Sequence, residues 1–213
     1  MHPENIHKLY GPRKNAISQR LNDFRNVWSN GTDEDILAEL AFCLFTPQSK
    51  AKSCWAAVCR LKANGLVCKG SPEQISCKLD GVRFHNNKSK YLAAARKLFS
   101  KNGKLCLKKT IGSFNDTLEC REWLVKNVKG LGYKEAGHFL RNIGFGEKIA
   151  IIDRHILTNL KRYGMIDEIP RTITKQKYLE IEKKTADFAK RTGIPLAHLD
   201  LLFWSNETGE VFK

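Results

Sequence analysis

Apolar residues recur at three- and four-residue spacing along nearly the whole chain, and that rhythm admits little besides packed helices. Ile17, Leu21, Phe24, Val27 and Trp28 follow it. "NGTDED" then breaks the pattern and offers a capped start to a buried helix carrying Ile36, Leu37, Leu40, Phe42 and Leu44. Pro47 interrupts in "TPQSKAK", and a further helix through Trp55, Val58 and Leu61 stops near "NGLV". Tyr91, Leu92, Ala95, Leu98 and Phe99 mark one face of "SKYLAAARKLFSK". Tyr178, Ile181, Thr185, Phe188 and Ala189 mark another helix, and "PLAHLDLLFW" is apolar enough to be buried. No strand pattern, repeat or low-complexity tract interrupts this. The expected fold is all-α, one domain or two small ones sharing a cleft. Without a Gly/Ser-rich linker, two lobes would pack closely.

Charge narrows the partners. Thirty-seven Lys and Arg oppose 22 Asp and Glu, a formal +15 with a pI near 9.6. A polyanion suits such a chain, because neutralised phosphates release condensed counterions; a merely solvated basic surface is the bland alternative. Seven cysteines stand at 43, 54, 59, 68, 77, 106 and 120, none in C-x-x-C spacing. Reduced thiols in a cytoplasmic protein, nucleoid-associated if the source is prokaryotic, are the simplest account. No cysteine follows Cys120, so the C-terminal third cannot hold a four-cysteine iron–sulfur cluster. "MHPENIHKLYGPRK" lacks the apolar run of a secretory leader, and no stretch approaches the roughly 18 apolar residues of a membrane span.

Two helical patterns meet at "VKGLGYKEAGHFLRNIGFG": Trp123, Leu124 and its first residue Val128 mark one, and Ala136, Phe139, Leu140 and Ile143 within it mark the other. Gly130 and Gly132 permit positive φ, and the second helix would present free N–H groups and a positive dipole end to a DNA phosphate. Taken alone, G-x-G favours an ordinary helix–helix turn. Lys134 sits at the start of that second helix, where the dipole disfavours an ammonium, and a neutral amine can form a Schiff base with a sugar carbon. Asp153, after the apolar run of "AIIDRH", is the expected N-cap of a helix with Ile156, Leu157, Leu160 and Tyr163 inward. Pointed into the same cleft, its carboxylate could take a proton from the lysine or stabilise a cationic sugar.

"KGLGYKEAG" followed by "IIDRHIL" resembles the signature of the helix-hairpin-helix DNA glycosylase superfamily. Together with "LAFCLFTPQSKAKSCW", "GVRFHNNKSKYL" and the terminal "LDLLFWSNETGEVFK", it resembles the second, archaeal-type family of 8-oxoguanine DNA glycosylase/AP lyases over residues 35–213. The resemblance implies two helical lobes: a helical barrel at 34–146 containing the hairpin at about 120–145, and a second domain made of 1–33 and 147–213. The active site would lie in the cleft between them. It implies a monomer acting on damaged double-stranded DNA, with no membrane partner. It implies a mechanism in which the damaged base flips out, the amine of Lys134 displaces it at C1′, and the Schiff base permits β-elimination of the 3′ phosphate, with Asp153 as the acid partner. No catalytic metal and no iron–sulfur cluster is expected. A structural cation held by carbonyls around Val125, Val128 and Gly130 is a possibility that related hairpins suggest.

Oxidised guanine differs from guanine at O8 and at N7, which becomes a donor, so its reader needs an acceptor and an aromatic face. Trp204 and Phe84 are the candidate faces, Phe84 being equally a core residue. Lys213 is the candidate reader, through its terminal carboxylate or its side chain. Gln48 is the candidate wedge for the vacated stack, or else a surface loop residue. Arg83 and Lys88 suit phosphate contacts or a solvated face; Arg154 and His155 follow Asp153 as candidate DNA contacts, His155 being otherwise a hydrogen-bonding residue within the hairpin region. Two alternatives stand beside this reading: a non-catalytic helix-hairpin-helix DNA-binding protein, and a glycosylase for another oxidised base.

Overall fold

The computed structural model describes residues 4–213. Met1–Pro3, where the second expected domain begins, lie outside the described residues. In chain order the helices are α1 (Glu4–Tyr10), α2 (Lys14–Asn30), α3 (Asp33–Phe45), α4 (Ala51–Ala63), α5 (Leu66–Lys69), α6 (Pro72–Ser76) and α7 (His85–Leu98). After them come α8 (Leu107–Ile111), α9 (Thr117–Asn127), α10 (Tyr133–Asn142), α11 (Arg154–Arg162), α12 (Lys175–Thr192) and α13 (Leu196–Thr208). Local chemistry sets several starts. Thr32 and Asp35 form a reciprocal capping box at α3, Ser71 and Gln74 form another at α6, and Thr174 caps α12.

Strand structure, which the apolar rhythm did not suggest, exists in one place among the described residues. Ser100–Lys101 pairs antiparallel with Lys104–Leu105 across Asn102 and Gly103, at φ 51° and 74°. Two successive left-handed residues make the turn whose twist matches paired strands, and Asn-Gly is the dipeptide that favours it. Leu98, expected on the inward face of α7, is 42% exposed, because the helix ends there and the chain turns into the hairpin.

Two hydrophobic cores divide the molecule. The first runs from Ile36 to Ile149 and includes Phe42, Phe45, Phe99, Leu124 and Phe139. The second joins Ile6, Ile17, Leu21 and Phe24 from the N-terminal helices to residues from Ala150 to Phe203. Val27, Trp28 and Phe212 cross over and pack against the first core. The chain passes between cores at 149–152, and that crossing is pinned. The Tyr178 hydroxyl donates to the Ala150 carbonyl (2.9 Å) and accepts from the Ile152 N–H (3.2 Å), while Glu182 Oε1 accepts from the Ala150 N–H (3.1 Å). Glu182 also grips Arg121 of α9 through two bonds of 2.5 and 2.8 Å, so a buried bidentate pair ties the lobes together. This crossing segment delivers Asp153 to the groove between lobes.

Candidate active site

Lys134 is the second residue of α10, and its side chain is 27% exposed. The turn before it uses its two glycines differently. Gly130 is at φ +89°, and a Cβ there would fall 2.4 Å from the Tyr91 ring. Gly132, expected to need the same freedom, is instead at φ −93° and ψ −176°, extended backbone open to any residue. No side chain caps α10, so its first N–H groups stay open to an anion. The carbonyl of Val128 already accepts the Leu131 N–H at 3.2 Å.

Asp153 caps α11: its Oδ1 accepts the Ile156 N–H at 2.8 Å, and among the described residues Oδ2 has no hydrogen-bond partner. Both residues line one cleft of about 400 Å³, with His138, Asp200, Trp204 and Lys213. Their charged ends are not within ion-pair distance of each other. The carboxylate nearest the Lys134 ammonium is that of Glu135, at 3.5 Å, and among the described residues Asp153 makes no ion pair.

Trp204 stands in the cleft wall, backed by Phe212 with ring centroids 6.3 Å apart and planes 31° apart, and met edge-on by His155 at 6.5 Å. The side chain of Lys213 is committed elsewhere. Its ammonium pairs with Glu39 and lies 3.4 Å above the Trp55 ring, and burial lowers its pKa. Of the two modes expected of Lys213, the side chain is already engaged by Glu39.

Gln48 is exposed at the tip of the turn between α3 and α4, at φ +56°, beside Lys134, Asp153, Arg154 and His155 in a groove continuous with the cleft residues. Two expected contacts fall out differently. Lys88 is buried and points into this turn, donating to Phe45 O (2.6 Å), Pro47 O (2.7 Å) and Ser49 Oγ (3.0 Å), so it has no free N–H for a phosphate. Phe84 is 53% exposed at φ +58° and does not line the cleft; the guanidinium of Arg83 lies 5.6 Å from its ring. The Arg83 N–H donates to Ser49 Oγ (3.0 Å), which places this loop against the Gln48 turn.

Two cleft residues had no role in the sequence. His138 lies one turn after Lys134, is buried, and has no hydrogen-bond partner at either ring nitrogen; the Lys213 main chain approaches without reaching bonding geometry. Burial, aided by the charges of Arg141, Lys134 and Lys213, drives its pKa well below the ordinary imidazole value. Its four-residue spacing from Lys134 was the available signal. Asp200 is buried 2.5 Å from Arg141 Nη1, and desolvation, supported by the Asp153 charge, pushes its carboxyl up to about 6. A single acid inside "PLAHLDLLFW" was the signal there.

Among the described residues no three His, Cys, Asp or Glu side chains gather where they could share a metal ion, all seven cysteines are free, and no helix is long and apolar enough to cross a membrane.

The family model for 8-oxoguanine DNA glycosylase, of helix-hairpin-helix type, matches residues 17–194. An 8-oxoguanine DNA glycosylase/AP lyase of Fusobacterium nucleatum is 48% identical, covering 98% of this chain and 96% of its own length. The one of Korarchaeum cryptofilum is 40% identical, with 98% and 96% covered. The solved 8-oxoguanine DNA glycosylase of Thermotoga maritima superposes with a TM-score of 0.88 at 32% identity, over 99% of this chain and 98% of that one. The Methanocaldococcus jannaschii 8-oxoguanine glycosylase/lyase, solved with a 15mer DNA containing 8-oxoguanine, gives 0.89 at 34% identity over 99% of each. The matched span holds the first core, most of the second, the uncapped hairpin, and Lys134 and Asp153, and the chain belongs to the 8-oxoguanine DNA glycosylase family.

Proposed function

We propose that this protein excises 8-oxoguanine from duplex DNA and cleaves the strand at the resulting site. One observation carries the reading: a lysine amine and a free carboxylate oxygen face a single cleft whose wall is a tryptophan. Lys134 is the nucleophile. Its nitrogen bonds to C1′ as the base departs, and the Schiff base that follows permits β-elimination of the 3′ phosphate. Asp153 is rigid because α11 depends on it as a cap, and its Oδ2 serves as the proton acceptor and as the counter-charge for a cationic sugar.

The flipped base stacks on Trp204, and the terminal carboxylate of Lys213 accepts the N7–H that oxidation creates. The open N–H groups of α10, with Arg154 and His155, hold the phosphates of the damaged strand without reading sequence. Gln48, held out at positive φ, enters the vacated stack. The chain works as a monomer on cytoplasmic DNA, and the amine supplies the nucleophile that a catalytic metal would otherwise provide.

Borohydride trapping on a duplex with one 8-oxoguanine tests this. Wild type should give a covalent adduct and a cleaved strand. Lys134→Gln should give neither while still binding the duplex, and Asp153→Asn should slow turnover by about 10²-fold or more. A wild-type protein that neither traps nor cleaves would remove the assignment.

A further inference from the structure

Helix α3 buries ten consecutive residues, Ile36–Phe45, and Glu39 is the one charge among them. A carboxylate withdrawn from water is costly unless its partners are complete. Here they are. The ammonium of Lys213 takes Oε1, and Asn142 Nδ2 donates to Oε2 at 3.0 Å. Asn142 Oδ1 accepts from Arg141 at 3.0 and 3.2 Å, and Arg141 holds Asp200 at 2.5 Å. One line of bonds thus runs from the last residue of the chain through α3 and α10 to α13.

Glu39 is not part of the cleft. It lines a second cavity of about 650 Å³, with Phe24, Trp55 and Phe212, on the other side of the C-terminus. Lys213 lines both spaces and forms the partition between them. A terminal residue frays unless tied down, and a lysine has many rotamers to lose. The rings around Phe212 set the path of the tail, with Phe42 at 6.5 Å and Trp204 at 6.3 Å. The Glu39 pair supplies the charged partner that fixes the final residue, over the Trp55 ring 3.4 Å from the same ammonium, and the side chain is 9% exposed. Discrimination between two bases that differ at O8 and N7 requires an acceptor whose position does not yield to the wrong base.

We propose that Glu39 is a positioning residue for base discrimination: by clamping the Lys213 side chain from behind, it turns the end of the chain into a fixed wall of the base pocket. Glu39 itself touches neither base nor sugar. The inference rests on the reading of the cleft as an 8-oxoguanine pocket.

The test compares single-turnover excision of 8-oxoguanine and of guanine with strand cleavage at a preformed abasic site, which needs no base pocket. Glu39→Gln should lower the 8-oxoguanine-to-guanine ratio by about 10-fold or more, the loss of one charge-assisted contact, and leave abasic-site cleavage within about 2-fold of wild type. Lys213→Met should lower the ratio similarly, and the double variant should be no worse than the worse single one, since both act through one clamp. An unchanged ratio, an equal loss on the abasic site, or additive losses in the double variant would each overturn the proposal. Should Glu39→Gln not fold, Glu39→Asp keeps the charge and shortens the reach; it too must lower the ratio, and an unchanged one refutes the clamp. Failure of the wild type to excise 8-oxoguanine would instead strike the function itself.

Discussion

The buried ammonium of Lys88 donates to the carbonyl oxygen of Pro47 at 2.7 Å, one residue before Gln48. With its bonds to Phe45 O and Ser49 Oγ, this single side chain closes the turn from inside and holds Gln48 at φ +56°. A left-handed non-glycine residue costs about 1 kcal/mol and persists only where its surroundings impose it. Gln48→Gly should therefore be neutral or gain up to about 1 kcal/mol in denaturant unfolding, and yet excise more slowly, because the amide that enters the stack is gone. A variant both less stable and fully active would contradict the role given to this turn. Lys88→Met, which leaves the Phe45 carbonyl only the Cys54 thiol at 3.2 Å and the Pro47 carbonyl only a 3.5 Å bond from Ser49 Oγ, should lose about 1–3 kcal/mol.

The two glycines of the hairpin separate under substitution. Gly130→Ala combines φ +89° with a Cβ driven to 2.4 Å from Tyr91, and neither the backbone nor a packed ring moves easily. The expected loss is about 2–4 kcal/mol. Gly132→Ala meets only the end of Glu135, at 3.0 Å and in extended backbone, and should cost under about 1 kcal/mol. Thermal melts of the two variants decide it; equal losses would mean that the close approach of Tyr91 does not govern the turn.

Much of this was legible in the residues, and what escaped did so for identifiable physical reasons. Helical periodicity reports which faces are apolar, so α2, α3 and α12 could be read with their inward residues. Asp153 could be read as a cap, because a carboxylate before an apolar helical run has few other uses. Lys88 could not, since its partners are backbone carbonyls, and nothing in a sequence marks a carbonyl as lacking a donor. Glu39 and Asp200 are single charges in apolar runs, whose partners come from 174 and 59 residues away. The oddity was visible; the pairing required the fold. Phe84 shows the converse, an aromatic residue that composition would bury and that the left-handed start of α7 turns outward.

His138 makes a pH-dependent prediction with a definite sign. Burial holds its pKa well below 6.5 in the folded protein, while the unfolded chain protonates near that value. Below pH 6.5 the unfolded state takes up a proton that the native state refuses, so this residue's contribution is complete above that value and is lost as pH falls. Asp200 slopes the other way. Its carboxyl, raised by burial from 3.8 to about 6, contributes stability fully present below 3.8 and lost as pH rises through about 6. The two are separated by comparing wild type with His138→Gln at each pH. From pH 7 to 5 the wild type should lose stability relative to the variant, at a slope approaching about 1.4 kcal/mol per pH unit. The measurement is urea unfolding in half-unit pH steps. Parallel curves would show that the ring ionises as readily in the folded cleft as in water, and would remove the neutral imidazole beside Lys134.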